Sequence, residues 1–286
     1  MKVLIKSKGM VYILIATCIW GTSAIFVRFF PGVSALSLVW GRSLFGGALL
    51  LVWSVCSIRP VGKIIDIKGN IIPILLLGLT AIGTLGFLTL GVQHGTITST
   101  MFLLYTAPIF IIWLGKYLLN EHITQKDYLP IILAFLGLFF IFSGSLASKL
   151  VLGDVFGLLG GISWGLQIIL GKKLGKKYSG LLLSLWMAII GLILLGPTVQ
   201  FQSLFSSNLV LLMIYGFVHS GIAPILFFEG IRYVSAKRAG LLSLIDPVEN
   251  SILAFIIFSE IPTLGGFLGA ILIVLSLITQ ALERKK

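Results

Sequence analysis

The sequence has 286 residues, of which 58% are hydrophobic and only 10% are charged. Soluble domains carry roughly 25% charged residues, so this composition excludes an ordinary cytosolic enzyme, a disordered chain and a disulfide-stabilised scaffold. A multi-pass membrane protein remains, and the 33 glycines agree with it because glycine permits close packing of membrane helices. The two cysteines, Cys18 and Cys56, lie in apolar runs, so we expect buried thiols without a disulfide or metal role.

Apolar segments recur along the whole chain, and each is long enough for a membrane-spanning helix, which needs about 20 mainly apolar residues. The connections between them are short, so we expect any chemistry to take place within or between the helices. No small-residue cleavage site follows the first segment, which we expect to be retained as the first span. The ten predicted spans cover residues 10–30, 34–56, 70–91, 95–116, 128–146, 154–171, 179–197, 209–229, 238–258 and 262–282.

The net charge of +12 would suggest a nucleic-acid partner in a soluble protein. With ten spans and a cytoplasmic N-terminus, however, 18 of the 21 Lys and Arg residues fall on the inner side of the membrane. Only Arg28 and Lys149 fall outside, and Arg42 lies within a span. This positive-inside pattern predicts a cell-membrane protein with both termini in the cytoplasm, where the basic clusters face anionic lipid rather than nucleic acid. The inner set comprises Lys2, Lys6, Lys8, Arg59, Lys63, Lys68, Lys116, Lys126, Lys172, Lys173, Lys176, Lys177, Arg232, Lys237, Arg238, Arg284, Lys285 and Lys286.

The chain contains an internal repeat. The segment Gly9–Gly21 resembles Gly153–Gly165, which begins 144 residues later, and further residues recur at a spacing of 139. The two halves, 9–147 and 153–283, then hold five spans each, and since five is odd, they insert with opposite orientation. Inverted repeats are typical of secondary transporters, whose substrate site lies near the membrane midplane between the halves. The pairs at the 139-residue spacing are Gly91 and Gly230, Pro108 and Pro247, Glu121 and Glu260, and Thr124 and Thr263.

Two prolines and a row of glycines indicate how the helices bend and pack. Pro108 and Pro247 lie near the middle of spans 4 and 9, where proline removes a backbone donor and kinks the helix. The freed carbonyl group must face protein or a cavity, and the kink then serves either structure or a moving gate. Span 6 carries a glycine at every fourth position from 153 to 165, which predicts close helix packing, with a dimer face as the alternative.

Residues in both halves of the chain form a recognisable set: Trp20-Gly21, Arg42, Pro108, Asn120-Glu121, Trp164-Gly165, Asp246-Pro247 and Ser259-Glu260. This set resembles the drug/metabolite transporter superfamily, and most closely its ten-helix EamA-like branch, over nearly the whole chain. The resemblance implies a basket-like bundle of two inverted five-helix repeats around a central substrate cavity. It also implies a secondary carrier, often an exporter, for amino acids or other small metabolites. Glu249 departs from the family pattern, in which this position is usually apolar.

Charged residues inside membrane spans are costly and mark functional positions. Those deep within the predicted spans are Arg42 in span 2 and Asp246 and Glu249 in span 9. The two acids share one helix face with Ser243 and Asn250, whereas the positions 139 residues earlier are all apolar. We therefore expect a substrate cavity with a symmetric backbone but asymmetric charge. The apolar counterparts are Leu104, Ala107, Phe110 and Ile111.

These three charges allow two interpretations. Asp246 and Glu249 repel each other at this spacing, so they are candidates for proton coupling or for binding a substrate ammonium group. Arg42 is a candidate for binding a substrate carboxylate or for neutralising one of the acids. The alternative is a purely structural pair between spans 2 and 9, because buried charges need partners whether or not they function. One cation and two anions would suit a zwitterion such as an amino acid.

Aromatic and polar side chains complete the set of predicted site residues. Trp20 and Trp164 occupy equivalent positions in the two halves, where they either line the cavity and offer stacking and cation–π contacts or simply pack in the core. Tyr105 and Gln167 are further substrate-binding candidates. His219 in span 8 is a candidate for proton transfer, with a hydrogen-bonded packing role as the alternative.

No enzyme motif appears among the remaining ionisable residues. Glu121 and Glu260 occupy equivalent helix ends, where we expect them to form stabilising hydrogen bonds. The three histidines are far apart and no Walker A sequence is present, so nucleotide-driven pumping is not expected. We predict no catalytic residue, no metal site and no cofactor.

The sequence therefore predicts an all-α membrane transporter that moves a small polar metabolite by alternating access, with amino acids as the leading class. Its expected partners are the substrate, the lipid bilayer and, under the coupling hypothesis, protons. A carrier of organic cations or drugs is the alternative within transport, favoured by Asp246 and Glu249. A passive channel or a membrane-embedded enzyme is the alternative of a different class. The sequence leaves the substrate, the direction, the coupling ion and the oligomeric state open.

Overall fold

The structure is a computed structural model that describes residues 2–23, 26, 29–57, 67, 69–95, 97–143, 152–205, 208–258 and 263–282. Within these ranges every regular element is helical, as expected for a chain that must satisfy its backbone hydrogen bonds inside lipid. The α-helices are α1 (Lys2–Gly21), α2 (Ala35–Ser57), α3 (Ile71–His94), α4 (Ile97–Leu104), α5 (Ala107–Leu118), α6 (Gln125–Phe142), α7 (Leu152–Leu174), α8 (Gly180–Leu195), α9 (Phe201–Phe205), α10 (Leu209–Tyr215), α11 (Ala223–Tyr233), α12 (Ala236–Leu242), α13 (Asp246–Phe258) and α14 (Leu264–Leu282). The other elements are 3₁₀ turns at Gly196–Thr198 and Ser243–Ile245 and a π-helical segment at Gly216–Ile222.

Eight helical stretches in the described part of the chain are long and apolar enough to cross a membrane. They correspond to predicted spans 2 to 8 and to span 10. In the first predicted span, α1 ends at Gly21 and its apolar part covers Lys8–Gly21. Ser23 and Phe26, beyond a turn at Thr22, are again helical. The ninth is divided between α12 and α13 and carries charged residues in both pieces.

Spans 4 and 9 are both interrupted near the middle, as their prolines predict. α4 ends at Leu104 and α5 begins at Ala107, so that Pro108 lies in the first turn of α5. In span 9, α12 gives way to a 3₁₀ turn, and α13 begins at Asp246, directly before Pro247. Proline suits the first turn of a helix, where a backbone N–H has no intrahelical acceptor. The two restarting points, Ala107 and Asp246, are separated by the 139 residues of the sequence repeat.

Glycines allow helices of the two halves to cross at short distance. A methyl group placed on Gly9 of α1 would lie 2.9 Å from the carbonyl oxygen of Gly230 in α11, and one on Gly230 would lie 2.7 Å from that of Gly9. The equivalent positions behave alike, because a methyl group on Gly153 of α7 would lie 2.6 Å from the carbonyl oxygen of Gly91 in α3. These separations leave room for no side chain, so the close packing predicted for span 6 is confirmed.

The prediction of buried thiols is wrong, because Cys18 and Cys56 are both exposed. An apolar run marks a lipid-facing surface as readily as a packed core, and the sequence pattern does not distinguish the two. Several other predictions concern residues, or side chains, that lie outside the described part of the chain. These are Lys2, Lys6, Arg28, Arg59, Lys63, Lys68, Lys149, Asn250, Ser259, Glu260, Arg284, Lys285 and Lys286.

Candidate functional site

A cavity of about 350 Å³ lies between helices of both halves, and its volume is within the range of small-molecule sites. Its wall is formed by α1, α2, α3, α4, α7 and α8, the π-helical segment, and the interrupted regions of spans 4 and 9. Most of this wall is aliphatic or aromatic, with a few polar groups between. The structure brings seven of the predicted site residues into the wall: Trp20, Arg42, Tyr105, Trp164, Gln167, His219 and Asp246.

Arg42 enters the cavity from α2 and is held by Tyr215, the last residue of α10. Its Nη1 donates a hydrogen bond to Tyr215 Oη at 3.1 Å, and its guanidinium carbon lies 5.4 Å from the centre of the tyrosine ring, within cation–π range. The same phenol shares a 2.6 Å hydrogen bond with Ser23 Oγ. The Tyr215 ring is stacked on Phe26 and edge-on to His219, with centroid distances of 5.0 and 4.6 Å. These contacts orient the guanidinium group.

Asp246 lines the same cavity from the first turn of α13. Its carboxylate interacts with the phenol of Tyr105, a buried residue between α4 and α5 that lines the same cavity. A carboxylate in the first turn of a helix is favoured by the helix dipole. The neighbouring Ser243 donates its hydroxyl hydrogen to the carbonyl of Ala239 in its own helix, at 2.9 Å. At the interruption of span 9, the charge in the cavity wall is therefore that of Asp246.

Glu249, one turn after Asp246, is not among the described residues of the cavity wall. It packs against the end of α1, where a methyl group placed on Gly21 would lie 2.6 Å from Glu249 Oε2. Oε2 is buried and has no hydrogen-bond partner among the residues that the structure describes. The two acids of span 9 therefore lie in different surroundings.

Trp20 and Trp164 meet in an aromatic cluster of the cavity wall. Their ring centroids are 5.6 Å apart in an edge-to-face arrangement. Both rings pack on Phe227 of α11, at centroid distances of 5.0 and 5.3 Å. The indole of Trp20 also donates a hydrogen bond to the carbonyl of His219 at 3.1 Å. Equivalent positions of the two halves thus converge on one aromatic surface.

His219 lies in the π-helical segment, a type of irregularity that is frequent at functional sites. The hydroxyl of Thr22 donates its hydrogen to the carbonyl of Ile19 at 2.8 Å. In its 2.9 Å contact with His219 Nε2 the hydroxyl therefore accepts, and the imidazole donates. His219 Nδ1 is buried and has no hydrogen-bond partner among the described residues. Gln167 is held more loosely, since its carbonyl oxygen accepts from Thr84 at 3.4 Å.

Comparison with known proteins identifies the family. The sequence model of the EamA-like transporter family matches residues 7–143 and again residues 151–280. The chain belongs to the EamA-like transporter family. It is 28% identical to an uncharacterized transporter of Archaeoglobus fulgidus, with 93% of both chains covered. It is 25% identical to the uncharacterized transporter YoaV of Bacillus subtilis, with 93% of this chain and 94% of YoaV covered. A solved crystal structure with 15% identity shares the fold at a TM-score of 0.79, covering 96% of this chain and 98% of that one.

Family membership and the eight membrane-crossing helices identify this EamA-like protein as a multi-pass integral membrane protein, and its relatives support a transporter. In the described part of the chain, no group of three or more His, Cys, Asp and Glu side chains is arranged to hold a metal ion. The polar groups of the cavity wall can form ion pairs and hydrogen bonds with an organic ligand.

A second polar connection joins the two interrupted spans of this EamA-like protein. Glu121 accepts hydrogen bonds from the backbone N–H groups of Ala236 at 3.0 Å and Lys237 at 3.4 Å, and so caps the start of α12. Lys237 in turn forms an ion pair with Asp127 at 2.6 Å and donates to the carbonyl of His122 at 2.7 Å. The prediction of helix-end hydrogen bonding for Glu121 is confirmed.

Three residues that contact this site, Tyr215, Ser23 and Phe227, are not among the predicted site residues. Tyr215 had a usable signal, because it lies one helical turn before His219 and therefore on the same helix face. Ser23 and Phe227 carry no charge and belong to no repeat pair noticed in the sequence. Ser23, which follows α1, contacts Tyr215 of α10, and Phe227 of α11 contacts Trp20 of α1 and Trp164 of α7. Such contacts are not encoded by local spacing.

Proposed function

We propose that this EamA-like protein is a secondary active transporter that exports a small zwitterionic metabolite by alternating access through the cavity. Amino acids are the leading substrate class. One observation carries the proposal: an oriented arginine and a carboxylate, Arg42 and Asp246, line a single cavity whose remaining wall is mainly apolar. An amino acid matches this arrangement with a carboxylate, an ammonium group and a side chain for the apolar wall.

Each substrate-binding residue has a distinct task in this proposal. Arg42 pairs with the substrate carboxylate, and Asp246 pairs with the ammonium group. Trp20 and Trp164 form the wall against which the rest of the substrate packs, because both contribute to one aromatic surface. Tyr105 and Gln167 supply polar groups to the same cavity.

Protons are the proposed coupling ion, with Glu249, Asp246 and His219 as the candidate carriers. A buried carboxylate oxygen without a hydrogen-bond partner is costly when the group is charged. Glu249 Oε2 has these surroundings at the end of α1, so a protonated Glu249 suits this conformation. Release of that proton would then accompany a movement of α1 relative to α13. Asp246 and His219 line the cavity, where they would exchange protons with its contents.

The proposed architecture has ten spans in two inverted five-helix repeats, 9–147 and 153–283, with both termini in the cytoplasm. The reciprocal glycine crossings support it: α1 crosses α11 at Gly9 and Gly230, and α7 crosses α3 at Gly153 and Gly91. Gly153 lies 144 residues after Gly9, and Gly91 lies 139 residues before Gly230, so the sequence repeat relates the first crossing to the second. This relation is expected for halves related by an axis in the membrane plane.

A carrier of organic cations is the second candidate. It is favoured by the aromatic surface beside Asp246, formed by Trp20, Trp164 and Phe227, because aromatic faces and carboxylates both attract cations. Arg42 opposes it, since a positive charge in the same cavity repels a cationic substrate. A passive channel or a membrane-embedded enzyme is the candidate from another class.

Counterflow in proteoliposomes tests the proposal. Vesicles containing the purified protein are loaded with one unlabelled amino acid at a time, and uptake of the labelled compound is measured with and without a pH gradient. We expect saturable accumulation of at least one amino acid, at a rate that the pH gradient changes. Accumulation of tetraethylammonium but of no amino acid would favour the cation carrier. Linear, non-saturating flux would favour a channel, and the absence of any flux would reject transport of these classes.

A further inference from the structure

We infer that two buried tyrosines, Tyr215 and Tyr105, are positioning residues that orient Arg42 and Asp246 toward the two charged ends of the substrate. The inference rests on the proposed function, because it takes a zwitterion as the substrate. Tyr215 is not among the described residues of the cavity wall and acts through Arg42. Tyr105 lies in the wall and acts through Asp246.

Tyr215 restrains Arg42 in two ways. Its hydroxyl accepts from Nη1 at 3.1 Å, and its ring lies under the guanidinium carbon at 5.4 Å. A hydrogen bond and a cation–π contact from the same residue together restrict the movement of the guanidinium group. A free arginine side chain loses about 2 kcal/mol of rotamer entropy when it becomes ordered, so prior ordering favours binding of a carboxylate.

Tyr215 is itself held in place from the end of span 1. Ser23 shares a 2.6 Å hydrogen bond with its hydroxyl, and Phe26 stacks on its ring at an interplanar angle of 10°. The ring is 2% exposed, so it has little freedom to move without its neighbours. The orientation of Arg42 is therefore set by a chain of contacts through spans 1, 8 and 2.

Tyr105 plays the corresponding part for Asp246. Its phenol lines the same cavity as the carboxylate and interacts with it, and a carboxylate offers about four acceptor positions in total. The remaining positions suit the three N–H donors of an ammonium group. Tyr105 lies between α4 and α5, whereas Asp246 begins α13, so this contact also joins the two interrupted spans.

The fold alone does not require either hydroxyl group. At the 139-residue spacing, the equivalent of Tyr105 is Leu244 and the equivalent of Tyr215 is Leu76, and leucine has no hydroxyl group. The half-repeat forms at the first of these positions with a buried aliphatic side chain, since Leu244 is 1% exposed, whereas Leu76 is exposed and has different surroundings from Tyr215. The two phenols occur only where a charged residue of the cavity needs an orienting partner, which favours a role in substrate recognition over a role in folding.

Three related probes separate the two ends of the cavity. L-leucine carries both charges, L-leucinamide keeps the ammonium group but lacks the carboxylate, and 4-methylpentanoate keeps the carboxylate but lacks the ammonium group. All three share one aliphatic side chain, which suits the mainly apolar wall. Their affinities are measured by titration calorimetry on the detergent-solubilised full chain at mildly acidic pH, where the amine of leucinamide is charged.

Tyr215→Phe and Tyr105→Phe serve as matched controls for each other, since each removes one phenol hydroxyl and keeps the ring. Loss of a hydrogen bond to a charged group corresponds to about a tenfold loss in affinity. We expect Tyr215→Phe to weaken leucine and 4-methylpentanoate by about this factor while leucinamide changes less than about twofold. We expect Tyr105→Phe to weaken leucine and leucinamide and to leave 4-methylpentanoate nearly unchanged.

The possible outcomes separate this inference from the proposed function. A variant that loses affinity for all three probes alike has a merely structural tyrosine, and this result overturns the inference for that residue. Unchanged affinities in both variants overturn it altogether, although leucine binding by the wild type would still support the proposed function. If the wild-type protein does not bind leucine, an apolar zwitterion is rejected as its substrate before any variant is compared.

Discussion

Spans 4 and 9 have the same backbone plan and different chemistry. Both are interrupted next to a proline, and their second helices begin at Ala107 and Asp246. In span 4 the helix resumes with an apolar residue that is 1% exposed, whereas in span 9 it resumes with a carboxylate in the cavity wall. The interruption is therefore a property of the shared fold, and the charge belongs to one half. In a repeated transporter fold, the positions where the halves differ are the first candidates for substrate recognition.

The largest expected effect is on amino-acid binding, when the negative charge that distinguishes span 9 from span 4 is removed at Asp246. Asp246→Asn keeps the size of the side chain but removes its charge, and we expect amino-acid binding to weaken about 100-fold because a buried charge pair is lost. Calorimetry with L-leucine and counterflow both measure this. Ala107→Ser, which makes the equivalent position of span 4 more polar, should bind leucine like the wild type. Wild-type transport by Asp246→Asn would place the functional asymmetry elsewhere.

The two halves also differ or agree in the glycine positions at which a helix of one half crosses a helix of the other half. We expect Gly9→Ala and Gly153→Ala, which are equivalent positions of the repeat, each to cost about 2 kcal/mol of stability, because the new methyl group overpacks the crossing helix. That methyl group would lie 2.9 Å from the carbonyl oxygen of Gly230 in the first case and 2.6 Å from that of Gly91 in the second. Thermal unfolding in detergent measures the loss.

Gly86→Ala is the control for both crossings, since a methyl group there would meet nothing within 4 Å. It should unfold at the wild-type temperature or slightly above, because alanine favours the helix more than glycine does. Destabilisation at only one of the two crossings would break their equivalence and would weaken the case for inverted repeats.

A smaller effect is expected where the two interrupted spans are joined. Glu121→Gln removes the charge that caps the start of α12, and we expect a loss of about 1 kcal/mol in stability. Glu229→Gln is the matched variant, because Glu229 accepts from the backbone N–H of Gly180 at 2.7 Å at the start of α8. If only Glu229→Gln lowers the unfolding temperature, the connection between spans 4 and 9 does not stabilise the protein.

The smallest effect is expected at Ser243, whose hydroxyl is bonded to its own helix. Ser243→Ala should change leucine affinity by less than about twofold, or about 0.5 kcal/mol. Ser184→Ala is a suitable control, because Ser184 also lines the cavity and donates to the carbonyl of Gly180 at 2.7 Å. A much larger loss in Ser243→Ala than in Ser184→Ala would show that the polarity of span 9 includes this hydroxyl as well as the carboxylate.

Several features of the fold were predictable because their signals are local or periodic. Hydropathy identified the eight helices that the structure bears out, and the prolines predicted the interruptions of spans 4 and 9. The end of α1 at Gly21 was not predicted, because the apolar run continues to residue 30 and contains no proline before Pro31. The exposure of Cys18 and Cys56 was also mispredicted, since hydropathy does not separate a lipid-facing surface from a packed one.

The sequence by itself determined the class of protein, its family and the two charged residues that meet in the cavity, because charges are rare in an apolar chain and each one stands out. Only the tertiary structure decided how those residues are used. It placed Asp246 in the cavity and Glu249 against α1, and it bound Arg42 to Tyr215. The physical reason is that these relations join different helices. Helix periodicity predicts which residues share a face, but packing decides what that face meets.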